Sequence, residues 1–233
     1  MTFKEKLEEG MERLKIPLFE TEVLNKLETF YIFFKQWNEK INLSALREED
    51  EIIEGHFLDS FALNKYIEGE ILDIGSGGGF PAIPLAIANP LKQFTLVESI
   101  GKKGHFLENA KKEIGINNMK IVNKRAEELA DDLKNRFDCG TARAVASLSV
   151  TMEYVAPFLK TGGIFIGQKT ADYHKELEKC RKCSEILGMN LKKVENLELP
   201  FKKPNRSIIL FEKIGETPKK FPRKIGVPKK SPL

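Results

Sequence analysis

Residues 70–88, EILDIGSGGGFPAIPLAIA, constrain this chain more than any other stretch. A short apolar run (Ile71, Leu72, Ile74) meets a turn in which Gly75, Gly77, Gly78 and Gly79 are interrupted only by Ser76, and an apolar helical run follows. Strand, glycine turn and helix in that order open a nucleotide-binding α/β unit. Glycine takes positive φ at little cost and lets a ligand approach the bare backbone. The helix N-terminus behind the turn offers free N–H groups. A dinucleotide fingerprint asks for one more glycine, one place further on, to leave that terminus open to a pyrophosphate. Phe80 stands there instead. Gly-x-Gly-x-Gly with Asp73 before it and a bulky ring after it suits a phosphate-free adenosyl cofactor whose amino-acid end lies across the turn, such as S-adenosylmethionine. Asp73, Gly75, Gly77 and Phe80 are therefore cofactor candidates. Pro81 and Pro84 fit a first helical turn and would damage a helix interior. On the glycines alone, any tight strand-to-helix turn is the plain alternative.

The segments that follow alternate as a doubly wound sheet requires. Phe94–Val97 reads as the second strand and ends at Glu98, roughly 20 residues beyond the glycines, where a carboxylate accepts hydrogen bonds from ribose hydroxyls. Met119–Asn123 is the third strand, and the Arg125-Ala126-Glu127 loop after it is placed to read an adenine ring or simply to start a helix with acidic residues. Phe137–Ala142 is the fourth strand. Arg143 at its end has the cofactor's carboxylate, the cleft's own carboxylates or a nucleic-acid phosphate as possible partners, a surface arginine being the alternative. Thr151–Lys160, a Gly162-Gly163 turn and Ile164–Gly167 give helix, turn and fifth strand, with Lys169 at the same sheet edge as Arg143. Asp172–Leu187 is a charged helix whose Cys180 and Cys183 lack the placement of a zinc or redox pair. Leu191–Leu199 and Ser207–Glu212 are two further strands, expected antiparallel and joined through Pro200–Asn205.

Before the first strand, Glu22–Ile41 repeats apolar residues at three and four (Val23, Leu24, Leu27, Phe30, Tyr31, Phe34, Trp37, Ile41), an amphipathic helix about 30 Å long. Residues 1–55 thus read as a helical extension packed on a body of residues 56–214. His56 and Asp59, three apart, share a helical face and either point at the cleft or brace the helix. Residues 215–233 are a basic, proline-rich tail, a strap or an arm ordered on binding. From Pro200 to Leu233 there are ten Lys or Arg against two Glu, in a chain whose net charge is only +4. That asymmetry suits a polyanion such as nucleic acid, or a solvated tail. No apolar run approaches the roughly 20 residues that span a bilayer, no leader opens the chain, and three cysteines without framework spacing argue against a secreted scaffold, so a cytoplasmic protein is expected.

Taken together, Asn42-Leu43-Ser44, His56-Phe57-Leu58-Asp59-Ser60, the Gly75–Ala86 turn and helix, Arg125-Ala126-Glu127, Thr141-Ala142-Arg143-Ala144, Arg206 and the ending from Phe221-Pro222-Arg223-Lys224 to Pro232-Leu233 resemble the glucose-inhibited division protein B family over nearly the whole chain. The resemblance implies a class I S-adenosylmethionine-dependent methyltransferase, with a Rossmann-like, mostly parallel seven-stranded sheet. Such an enzyme methylates N7 of a guanine in 16S ribosomal RNA and leaves S-adenosylhomocysteine. It further implies that Gly75, Phe80, Ala126-Glu127 and Arg143 contact the cofactor, with Glu98 at the ribose. Asn42, His56, Lys169, Arg206 and Arg223 fall on the RNA side, and Asp59 or a backbone carbonyl near Arg143 orients the base. The partner is 16S ribosomal RNA or a small-subunit particle, with no membrane and a monomer expected. Ala82 where the family usually has Gly, Ile225 for Pro and Glu98 for Asp are the departures. A nicotinamide-dependent oxidoreductase and a non-catalytic RNA-binding module are the alternative functions.

Overall fold

The computed structural model describes residues 1–129, 131–170, 173–201 and 206–233. Thr2 caps the first helix, α1 (Phe3–Arg13), through a reciprocal box with Glu5. The long helix α2 (Thr21–Ile41) buries Leu24, Leu27, Phe30, Tyr31 and Phe34, the stripe expected from its spacing, and ends at Asn42 in the left-handed conformation. Next comes a composite helix: α3 (Glu49–Ile52), a π-helical stretch over Ile53–Leu58, and α4 (Asp59–Phe61).

The body is a seven-stranded sheet built from β1 (Glu70–Ile74), β2 (Gln93–Val97), β3 (Met119–Val122), β4 (Phe137–Thr141), β5 (Leu159–Thr170), β6 (Met189–Leu197) and β7 (Arg206–Lys213), in the order β3-β2-β1-β4-β5-β7-β6. The first five strands are parallel, and β7 runs antiparallel between β5 and β6. The order reverses beside β1, so the ends of β1 and β4 flank the crevice where ligands bind in open α/β sheets. Register carries this through: Asp73 lies opposite Thr141, and Ile74 opposite Val97.

The helices α5 (Ala82–Ala88), α6 (Gly101–Ile114), α7 (Leu148–Val155) and α8 (His174–Leu187) cover the two faces. The α1, α2, α5 and α6 side chains pack with Ile71, Phe94 and Leu96 as one core, so the N-terminal helices share the body's interior. The other core lies under α7 and α8 and takes in Phe221 of the tail. Pro81 precedes α5 and Pro84 sits in its first turn, as expected. The helix expected over Thr151–Lys160 instead begins at Leu148, tightens to a 3-10 turn at Ala156–Phe158 and yields to β5, because Pro157 cannot continue an α-helix. The expected start of the next helix at Asp172, and residues 202–205 of the expected Pro200–Asn205 connection, lie outside the described residues.

The tail is a strap. Phe221 is 2 % exposed, and a short helix, α9 (Val227–Lys230), with buried Pro228 follows. Among the described residues, no helix is long and apolar enough to cross a membrane.

Candidate active site

The glycine turn is held from both sides. Gly75 and Ser76 donate their N–H groups to the Val97 carbonyl (2.7 and 3.2 Å), and the Gly79 N–H closes on the Ser76 carbonyl. Gly75 has φ +73°, and a Cβ there would sit 2.5 Å from the Val145 side chain, so both backbone and neighbour demand glycine. The Glu98 carboxylate, 5 % exposed, accepts from Gly77 N–H (2.8 Å) and Ile100 N–H (2.7 Å), tying the end of β2 to the turn. Asp73 accepts from Thr141 Oγ1 at 2.6 Å through one oxygen, while its other oxygen is buried without a partner. Burial raises the Asp73 pKa to about 6, against the hydrogen bond from Thr141 that lowers it, while Ser76 Oγ donates to the Asp73 backbone carbonyl.

Two clefts open at this sheet edge. The first, about 380 Å³ of open space, runs from Gly75 and Val97 to Ala126 and Glu127 and is walled by Val145, Tyr154 and Lys229. Glu127 accepts the Gly226 N–H of the strap at 3.1 Å. Its charge, after burial, pushes the Tyr154 hydroxyl pKa up. The second cleft, about 890 Å³ of open space, is lined by His56, Asp59, Arg143, Ala144, Lys169 and Arg206, among others. Of cavity proper, the second cleft holds about 410 Å³, within the range of small-molecule sites, about 300–1,000 Å³, and the first about 60 Å³, below it; the two clefts share a wall. They adjoin where Arg143-Ala144 passes to Val145, and Ala144 holds a positive φ of 56°, uncommon for a residue with a Cβ.

Arg143 is the hub. Its Nη1 donates to Asp59 Oδ2 (2.9 Å) and to the Gly55 carbonyl (3.0 Å), and its Nη2 approaches His56 Nδ1 at 3.0 Å. The guanidinium lies 5.7 Å from the Phe80 ring centroid. Arg206 Nε is 3.6 Å from Asp59 Oδ1, delivered there because Arg206 begins β7 opposite Thr170. Lys169 reaches this cleft too, paired with Glu176 at 2.9 Å. Of the residues expected on the RNA side, His56, Lys169 and Arg206 thus come together. His56, however, is buried against Phe80 at 4.4 Å between ring centroids, and Asn42 lies outside the cleft, accepting from Arg47 Nη2.

Arg223 goes elsewhere. Its guanidinium is forked onto buried Glu153 (2.9 and 2.6 Å), and its backbone N–H adds a third bond at 3.0 Å. This pair anchors the strap to α7. The sequence held one signal for it, a lone acid inside the apolar run Val150–Phe158, since a buried charge needs a partner. The contact between Ser44 and His56 had no such signal. Cys180 and Cys183 are buried, with thiol pKa values pushed up to about 12 by desolvation, and the described residues hold no cluster that fits a metal ion.

A parallel sheet extended by a reversed β7 inserted before β6, with a glycine turn after β1 and an acid after β2, defines a Rossmann-like methyltransferase fold. Solved structures share it at low identity. TYW2 of M. jannaschii, solved in complex with AdoMet, matches at 19% identity and TM-score 0.52 over 67% of this chain and 77% of that one. The precorrin-6y C5,15-methyltransferase of Geobacter metallireducens matches at 18% and 0.52 over 68% and 88%. The family described as "GidB: rRNA small subunit methyltransferase G" matches residues 23–209. The ribosomal RNA small subunit methyltransferase G of Fusobacterium nucleatum subsp. nucleatum is 40% identical over 99% of this chain and 100% of its own. That of Desulfitobacterium hafniense is 41% identical over 90% of each. The chain belongs to the GidB family, the rRNA small subunit methyltransferases G. Membership makes it an rRNA methyltransferase and displaces both the oxidoreductase and the non-catalytic binder.

Proposed function

We propose that the chain binds S-adenosylmethionine in the first cleft and methylates N7 of a guanine of 16S ribosomal RNA held in the second, releasing S-adenosylhomocysteine. The observation that carries this reading is the junction of the two clefts at Arg143-Ala144-Val145. A donor in one cleft and an acceptor in the other share that wall.

The residues suit the cofactor. The unpartnered, buried Asp73 oxygen suits a cationic amine, since a buried carboxylate is stabilised by pairing with a donor. The bare Gly75 backbone gives close approach. Glu98, already fixed by two N–H groups, keeps lone pairs for ribose hydroxyls, and Glu127 presents a carboxylate to the adenine end. When bound, the cofactor supplies an electrophilic methyl on a sulfonium.

Guanine N7 carries a free lone pair on the major-groove edge, so the protein needs no general base. Its task is positioning, together with electrostatic support as the purine becomes cationic. Asp59 is pinned between Arg143 and Arg206, and in this reading it orients those two cations at the edge of the base. Arg206 and Lys169 meet phosphates at the mouth of the cleft. Residues 1–55 act as the cover of the base cleft, residues 56–214 as the catalytic body and residues 215–233 as the strap over the cofactor. The protein acts as a monomer, in the cytoplasm, on naked 16S rRNA or on the assembled small-subunit particle.

Incubation with methyl-labelled S-adenosylmethionine and either rRNA or small-subunit particles tests this. Label at guanine N7, found by strand cleavage at the methylated purine, is the expected result. Label on an exocyclic nitrogen or a ribose would overturn it. Arg143→Ala lowers the transfer rate by at least about 10²-fold, the scale of a lost positioning contact.

A further inference from the structure

We infer that Ser44 and His56 form a positioning relay that fixes the Arg143 guanidinium at the junction of the two clefts, so that the loop after α2 sets the geometry of methyl transfer. The inference rests on the assignment of Arg143 to that junction.

The direction of the relay turns on which neighbour His56 Nδ1 serves. A guanidinium only donates. His56 Nδ1 lies 3.0 Å from Arg143 Nη2, which can only donate, and 3.0 Å from the Gly55 carbonyl, which can only accept and already takes Arg143 Nη1; the relay assigns Nδ1 to the guanidinium as acceptor and the ring proton to Nε2. Nε2 is 2.8 Å from Ser44 Oγ, to which it donates. Ser44 is itself held by α2: its N–H donates to Asn38 Oδ1 (2.8 Å), Asn38 Nδ2 donates to the Leu46 carbonyl (3.2 Å), and Leu46 N–H returns to Ser44 Oγ (3.1 Å). The His56 ring is stacked on Phe80, at 4.4 Å and 16° between planes, and meets the edge of Phe34. It cannot swing without unpacking the glycine turn. His56 and Gly55, whose carbonyl accepts from Arg143, both belong to the π-helical stretch, a local irregularity frequent at functional sites. One guanidinium is thereby indexed by a ring, a carbonyl and a carboxylate from one helix, and the ring by a loop from another.

The relay requires a neutral imidazole. Burial and the neighbouring charge of Arg143, with a smaller effect from Arg206, lower the His56 pKa to about 3, against the Gly55 carbonyl that raises it. Asp59 faces the same group, and Lys169 and Glu176 line the cleft as a pair.

The test uses full-length protein. The variants are His56→Leu (packing without hydrogen bonds), His56→Gln (one acceptor and one donor retained), Ser44→Ala and Ser44→Thr. Each is measured for transfer kcat and KM on rRNA, for S-adenosylhomocysteine affinity by calorimetry, and for imidazole 15N shifts in histidine-labelled protein, where there are only three histidines to assign. Ser44→Ala and His56→Leu should lower kcat by about ten- to a hundredfold, with KM for RNA changed far less, and His56→Gln and Ser44→Thr should recover most of the loss. If His56→Leu fails to fold, Ser44→Ala carries the test, because Ser44 lies in a loop. The 15N spectrum should show a protonated Nε2 and bare Nδ1 in wild type, unchanged from about pH 5 to 8. A ring titrating near its ordinary value, or protonated on Nδ1, would overturn the relay. So would full kcat in folded Ser44→Ala alongside an inactive Arg143→Ala. Full transfer by Arg143→Ala would instead overturn the assignment of the junction.

Discussion

Arg143 and Arg223 each reach a buried carboxylate, yet they do opposite things. Arg223 spends its fork and its backbone N–H on a single acceptor, Glu153, which is fully buried. Arg143 divides its donors among Asp59, Gly55 and His56 and borders an open cleft. Saturated, one-partner geometry marks an anchor. Distributed geometry beside unpartnered atoms, such as the Asp73 and Gln168 oxygens, marks a site left ready for a ligand. Both arginines stand in stretches that resemble the same family, and only the fold separates their roles.

That contrast is broken most severely at the anchor. Glu153→Ala takes the buried partner from a partly exposed guanidinium and should cost about 2–3 kcal/mol in denaturant unfolding. The folded fraction should still transfer methyl groups at saturating cofactor. Its affinity for S-adenosylhomocysteine should fall, because a loosened strap no longer donates the Gly226 N–H to Glu127. Arg223→Lys keeps the charge and loses the fork, with an expected loss of about 2 kcal/mol by the same measurement.

At the site, the effects are smaller and pH-dependent. His56 has a folded pKa of about 3 against an ordinary 6.5. The unfolded chain therefore binds more protons between those values, and stability is lost as pH falls from 6.5 towards 3, by up to about 1.4 kcal/mol per pH unit. His56→Gln should flatten that limb in thermal melts. Asp73 has the opposite sign. Its pKa of about 6 lies above 3.8, so its contribution is lost as pH rises through that window. Asp73→Asn should raise stability at neutral pH relative to pH 4 while weakening cofactor binding.

Much of this was legible in the chain. The glycine turn, the acid after β2 and the alternation of strands and helices fix the crevice by local rules of period and turn chemistry; Gly75, Ala126 and Glu127 line the first cleft, Arg143 the second, and Glu98 braces the turn. What spacing cannot carry is the partner of a charge. Glu153 and Arg223 are 70 residues apart, and no periodicity joins them, so Arg223 read as an RNA contact with no sign of the ion pair it makes on α7. His56 read as a brace or a pole of the cleft from its three-residue distance to Asp59. Only the packing of α2 on the glycine turn shows that it does both, with Ser44 behind it. The strap was open between two readings for the same reason, since a basic, proline-rich tail has no pattern of its own and is ordered here by Phe221 and Glu153.

The most direct measurement is single-turnover transfer of labelled methyl to 16S rRNA by Arg143→Ala and Arg223→Ala side by side, at a temperature where both remain folded and with saturating cofactor. The account predicts a rate lowered by about 10²-fold or more for Arg143→Ala and a rate close to wild type for Arg223→Ala. A near-normal rate for Arg143→Ala, or equal losses in the two, would contradict it.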